Sequence, residues 1–185
     1  STTVHIPGAL IGNPSGDIDV VVGSLAVVNA NGSPVDRRSG LPWCPDGLGL
    51  RRPTAADRRA LTSCLSGQAA TSLNTTIGVV ATSAELTKAE LGKMTGVAHD
   101  GLARAIRPAH SMFDGDTIFG LATGGVDIGD QPAAMGSSAS RQRALNLLLE
   151  AAAITFAAAC AHAVVAARTI GEAPAYVDLC PSARR

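Results

Sequence analysis

The sequence predicts a single domain of the α+β class. Three observations carry that expectation: valine-rich apolar runs of strand length at 18–29 and 77–82, a capped amphipathic helix that starts after Thr87, and a long alanine-rich helix over 141–168. With 185 residues and 46% hydrophobic content, the chain can bury a core as one unit. No internal repeat or low-complexity linker divides it.

Residues 1–6 are short, polar and β-like, without the basic start and apolar core of a secretory signal. The chain begins as if in mid-strand, so further residues are expected upstream of Ser1. Residues 18–29 (IDVVVGSLAVVN) form one strand or a bent pair around Gly23 and Ser24, and 29–32 (NANG) turn the chain. A loop rich in Gly, Pro, Asp and Arg occupies 33–53, with Trp43 as its anchor. Pro53 and Thr54 open a short helix with Asp57 in its first turn, which fades by Ser66 and Gly67. Residues 68–74 are small and turn-like and deliver the chain to Thr75. The alternation over 75–82 suits a strand buried on both faces.

Thr87-Lys88-Ala89-Glu90 is a capping box, and Leu91, Met94, Ala98, Leu102 and Ala105 follow at helical spacing until Pro108 forbids continuation. Residues 117–123 return to strand and 124–140 form a loop. The apolar stretch 151–167 falls short of the ~20 strongly apolar residues of a membrane span, is mostly alanine, and contains Thr155 and His162. It is expected to pack closely on a sheet.

Composition excludes several classes of function. Formal charge is zero and aromatic content is 3%, so no global field draws in nucleic acid, an anionic membrane or a strongly charged substrate, and almost no stacking platform for bases is present. Cys44, Cys64, Cys160 and Cys180 form no CxxC pattern, which argues against zinc and dithiol chemistry. Reduced thiols and a cytoplasmic location are the default reading. His99, His110 and His162 do not form a metal pair at helical spacing and are read as structural. No GxSxG elbow surrounds Ser63, Ser66 or Ser72.

Three places offer chemistry. At Asn74-Thr75-Thr76, a threonine at a strand start is the plain reading. The sharper one is that the Asn74–Thr75 bond is cut, because an N-terminal threonine carries its own base, an α-amine of pKa about 7.7 to 8.0. Asp114-Gly115-Asp116 is either a DG turn or a carboxylate pair facing one site; a calcium loop would need further acidic ligands. Asn29 either supports its own turn or offers its amide to an oxyanion from a strand end.

Taken together and in order, residues 74–82 (NTTIGVVAT), 99–108 (HDGLARAIRP) and 113–117 (FDGDT) closely resemble one family, and 174–179 (PAYVDL) fits its C-terminal end. These are the self-processing N-terminal-nucleophile hydrolases of the DmpA-like peptidase family S58, which include L-aminopeptidase/D-esterases, β-peptidyl aminopeptidases and nylon-oligomer hydrolases. The resemblance implies a four-layer αββα sandwich and a precursor that cuts itself once, here after Asn74. Residues 1–74 would then be the C-terminal part of an α subunit and 75–185 the β subunit, with a longer upstream part before Ser1. Thr75 would be the nucleophile, Asp114 and Asp116 its orienting carboxylates, and Asn29 the oxyanion donor. The implied activity is hydrolysis of a small peptide or amide through an acyl-enzyme ester, with no metal or organic cofactor and with processed protomers in a homo-oligomer. The alternative is a non-enzymatic scaffold that keeps the sandwich.

Overall fold

The computed structural model describes residues 2–10, 19–67, 74–129 and 139–184. Four strands, β1 (Thr2–Ile6), β2 (Val20–Asn29), β3 (Thr75–Ala84) and β4 (Thr117–Val126), form one mixed sheet in the order β1-β2-β3-β4. The first two pairings are antiparallel and β3–β4 is parallel, so the chain crosses over between β3 and β4 through helix α2 (Lys88–Ala105). A crossover of this length is what a parallel pair requires.

Period-2 alternation explains how the sheet sits. Val20, Val22, Ser24 and Ala26 of β2, with Thr76, Val80, Thr82 and Ala84 of β3, point to one face and are buried. On that face lie α2 and the long helix α3 (Ala139–Ala166), which pack against each other and against the sheet. Small residues permit the approach: Gly101 lies so close to α3 that a Cβ there would come 2.2 Å from the Ala153 carbonyl oxygen. A buried hydroxyl pair, Ser24 Oγ and Thr155 Oγ1 at 2.8 Å, joins β2 to α3.

The opposite face of the sheet is open. Leu25, Val27, Ile77, Phe119 and Leu121 are each at least half exposed, in adjacent rows set by the pairings Val27↔Ile77 and Val79↔Phe119. This corrects the expectation that β3 is buried on both faces. Its apolar residues do alternate on both sides, but the described residues cover only one.

Helix α2 begins as the capping box requires: Glu90 N–H donates to Thr87 Oγ1 and Thr87 N–H donates to Glu90 Oε2. It ends at Ala105, three residues before Pro108. Strand β4 runs on to Val126, further than the sequence suggested, and residues 130–138 of the expected loop lie outside the described residues, as do 68–73. By length and apolarity α3 could cross a bilayer, contrary to the reading of 151–167; its apolar surface is used in the fold, with Ala152, Phe156, Ala159 and Cys160 buried.

Helix α1 (Ala55–Gly67) and the short helix α4 (Tyr176–Leu179) build a second small core from Val35, Leu61, Tyr176, Cys180 and Ala183. Tyr176 donates its hydroxyl to the Gly40 carbonyl at 2.8 Å, which fixes the long loop between β2 and α1.

Candidate active site at the Asn74–Thr75 junction

Thr75 is the first residue of β3, and in the sheet register it faces Asn29, the last residue of β2. Opposed residues of antiparallel strands hold their Cβ atoms about 4.5–5.5 Å apart. Both belong to the alternating set that faces the open side of the sheet, together with Val27 and Ile77. The two candidates therefore sit at one end of an apolar sheet face. The parallel bridge Asn74↔Asp114 brings the segment before β4 alongside the junction. Thr75, Asn29, Asp114 and Asp116 are thus gathered from three separate stretches of sequence.

The Asn74 carbonyl oxygen is gripped twice. It accepts a hydrogen bond from Thr75 Oγ1 at 2.6 Å and another from Gly115 N–H at 2.9 Å. Of the two donors, Gly115 N–H can remain while Thr75 Oγ1 attacks, and it favours negative charge building on that oxygen, the electrostatic demand of attack on the carbonyl carbon. Glycine keeps the Asp-Gly-Asp turn close to the junction, since a Cβ at Gly115 would stand a tight 3.0 Å from Thr75 Oγ1.

The two aspartates work through the neighbours of Thr75 and not through its hydroxyl. Asp116 Oδ1 accepts the Thr76 N–H at 2.7 Å and so pins the start of β3. Its other oxygen, Oδ2, lies 2.8 Å from His110 Nδ1 without a well-aligned hydrogen bond, a contact between a carboxylate 2% exposed and an imidazole 41% exposed. Asp114 accepts from Asn31 N–H at 3.0 Å and from Ser111 N–H at 2.8 Å, tying the turn after β2 to the turn before β4. Burial opposes ionisation of Asp114, but the bonds from Asn31 and Ser111 and the nearby His110 outweigh it and hold the carboxyl below its ordinary value.

His110, read from its sequence context as structural, contacts the candidate site through Asp116. It adopts a left-handed backbone (φ 55°) that turns its ring toward Asp116, and its ring centroid is 5.0 Å from that of His99. Burial, and then the charge of His110, push the His99 pKa below the ordinary imidazole value. Asn31, Ser111 and Gly115 were also not singled out as functional. The signal available for His110 was its place four residues before Asp114; for the others it was adjacency to Asn29 and to the aspartate pair. Among the described residues, no cluster of three or more His, Cys, Asp or Glu side chains gathers as metal ligands. Thr76 Oγ1 is buried without a hydrogen-bond partner among them.

The model of peptidase family S58 matches residues 9–175. An uncharacterized aminopeptidase of Mycobacterium tuberculosis is 42% identical over 169 residues, which cover 89% of this chain and 49% of that protein. A second, from Mycobacterium leprae, is 43% identical over 169 residues, covering 88% and 45%. A 6-aminohexanoate-oligomer endohydrolase of Paenarthrobacter ureafaciens is 35% identical over 68 residues, covering 37% of this chain and 18% of the enzyme. The chain spans about half the length of the mycobacterial relatives it matches. A family match that runs through β2, the Asn74–Thr75 junction and the Asp-Gly-Asp turn alike leads to one conclusion: the chain belongs to peptidase family S58.

Proposed function

We propose that this chain is part of a self-processing amide hydrolase of the aminopeptidase type, in which Thr75 first cuts the bond that precedes it and then serves as the N-terminal nucleophile. The observation that carries this reading is that Thr75 Oγ1 lies against the Asn74 carbonyl, 2.6 Å from its oxygen, while Gly115 N–H donates to that same oxygen. In the first step Thr75 Oγ bonds to the Asn74 carbonyl carbon, the C–N bond breaks, and the hydroxyl proton ends on the departing Thr75 nitrogen. Water then hydrolyses the resulting ester, leaving a carboxylate on Asn74 and a free amine and hydroxyl on Thr75.

In turnover the freed amine takes the hydroxyl proton as Oγ attacks a substrate carbonyl and hands it to the leaving amine. Water releases the acyl group from the ester. Asn29, opposite Thr75 in the register, is the oxyanion donor in this scheme. Asp116 holds Thr76, and Asp114 holds the turn that carries Asn31, so the pair acts on the position of Thr75.

The open apolar face fits the same reading. A four-layer αββα sandwich needs a second sheet against the first, and Leu25, Val27, Ile77, Phe119 and Leu121 supply the apolar surface such a layer would cover. Thr75 and Asn29 would then lie at the rim between the two sheets.

Purified full-length protein tests the proposal by denaturing electrophoresis and N-terminal sequencing. A fragment that begins Thr75-Thr76-Ile77 is expected, together with hydrolysis of aminoacyl amides, and Thr75→Ala should abolish both. An intact chain that still hydrolyses amides, or a Thr75→Ala variant with unchanged activity, would sink the assignment.

A further inference from the structure

A cleft of about 550 Å³ opens beside the junction, and Asn74 forms part of its wall. The same cleft is lined by three cations, Arg37, Arg38 and Arg107, against one carboxylate, Asp36. Asp36 is already engaged: its oxygens accept the N–H groups of Arg38 at 3.0 Å and Ser39 at 3.2 Å. None of the three guanidinium groups has a carboxylate within 4.0 Å among the described residues. The wall therefore carries uncompensated positive charge.

Arg107 is also held in place. Its backbone exchanges two hydrogen bonds with Ser33, both at 3.0 Å, and its guanidinium carbon lies 4.0 Å from the centroid of the Trp43 ring. Trp43 is fixed in turn by donating Nε1–H to the Ser33 carbonyl at 3.0 Å. A cation positioned by stacking and by a backbone bridge loses little freedom when an anion arrives. The planar guanidinium fork matches a carboxylate in particular.

We propose that this cleft is a carboxylate-binding subsite. In self-cleavage Asn74 is the acyl donor, and the carboxylate it acquires is produced in a residue that lines the cleft; a substrate acyl group that takes the place of Asn74 would present there the carboxylate it acquires when water releases it from the ester. Which of these supplies the anion rests on the Thr75 reading, whereas the subsite itself does not.

The test uses full-length protein carrying Thr75→Ala, which retains the Asn74–Thr75 bond. Trp43 stacks on Arg107 in the cleft, so the part of the tryptophan emission that Trp43→Phe removes reports on the cleft. Titration with succinate at constant ionic strength should give a saturable change that succinamide does not. Succinate should bind at least tenfold more weakly to the Arg107→Gln chain, and several-fold more weakly to an Arg37→Gln/Arg38→Gln chain, whose Trp43–Arg107 stack is intact. Against wild-type processed protein, weaker succinate binding than in the Thr75→Ala chain assigns the site to the Asn74 terminus, and equal binding assigns it to a substrate carboxylate. No response to succinate, an equal response to succinamide, or unchanged affinity in both arginine variants overturns the proposal. Because the titration needs no cleavage, failure of the nucleophile reading leaves it interpretable.

Discussion

Glu90 offers the best-determined perturbation in the molecule, because a single side chain there closes a helix cap and neutralises a buried cation. Arg141, whose side chain is 0% exposed, donates Nε–H to Glu90 Oε1 at 2.8 Å and Nη2–H to Oε2 at 2.9 Å. Its Nη1 donates to the Gly129 carbonyl at 2.7 Å, so the pair locks the start of α3 to α2 and to the segment that follows β4. The Arg141 hydrogen bonds first, opposed by burial and helped by Thr87, lower the Glu90 pKa from 4.5 to about 2. That displacement corresponds to about 3 kcal/mol of folding free energy at neutral pH, at 1.36 kcal/mol per unit. Glu90 is only 14% exposed, so solvent screening removes little of it. Because the folded-state pKa is depressed, the contribution is complete above the unfolded value near 4.5 and is lost as pH falls toward 2. Glu90→Gln keeps an acceptor for the Thr87 N–H and so keeps the capping box, but it leaves Arg141 without its counter-charge. Urea unfolding should show the variant about 3 kcal/mol less stable at pH 7, with the gap shrinking to less than half by pH 3. A gap that stays constant between pH 7 and pH 3, or one below about 1 kcal/mol at pH 7, would refute the reasoning.

Two further substitutions separate packing from chemistry. Gly101→Ala raises intrinsic helix propensity by up to about 1 kcal/mol, but its Cβ would meet the Ala153 backbone oxygen at 2.2 Å, and a backbone atom cannot step aside as a flexible side chain can. A net loss of about 1–3 kcal/mol is expected from urea unfolding; a gain in stability would show that α2 and α3 separate at no cost. Gly115→Ala places a methyl group 3.0 Å from Thr75 Oγ1 while touching little else, so the fold should survive and self-cleavage should slow several-fold, short of the roughly 10²-fold of a full 1 Å misplacement at a reacting centre. The time course of fragment appearance on a denaturing gel measures this, and cleavage at the wild-type rate would remove Gly115 from the proposed role.

How much of this could be read in the sequence depends on whether the governing interaction is local. The capping box at Thr87 and Glu90, the break before Pro108 and the turn after Asn29 are decided within a few residues, and each is legible as such. Thr75, Asn29 and the two aspartates were legible as a set only through the resemblance, since their proximity arises from two strand pairings and a bridge between distant segments. His110 shows the limit more sharply. Its part in the site depends on a left-handed backbone that is unusual outside glycine and on a turn that brings it back to Asp116, and a residue type alone announces neither. Asp114 shows a second limit: the sequence supports a carboxylate beside Thr75, yet its hydrogen bonds go to Asn31 and Ser111.

The strand β3 turns an error of reading into information. Apolar residues on both sides of a strand state that both sides are meant to be covered, and they do so without naming the covering element. Thr76, Val80 and Ala84 find α2 and α3, while Ile77 stands half exposed beside Val27, and the row continues through Leu25, Phe119 and Leu121. A polar substitution on such a face would be nearly silent if water were its normal neighbour. If a second sheet is its normal neighbour, Ile77→Asp should weaken full-length protein and impair self-cleavage two residues away, because the same strand fixes Thr75. Urea unfolding measures this: a loss well above the ~0.5 kcal/mol of a surface substitution is expected, and an unchanged midpoint would mean that the apolar row has no partner.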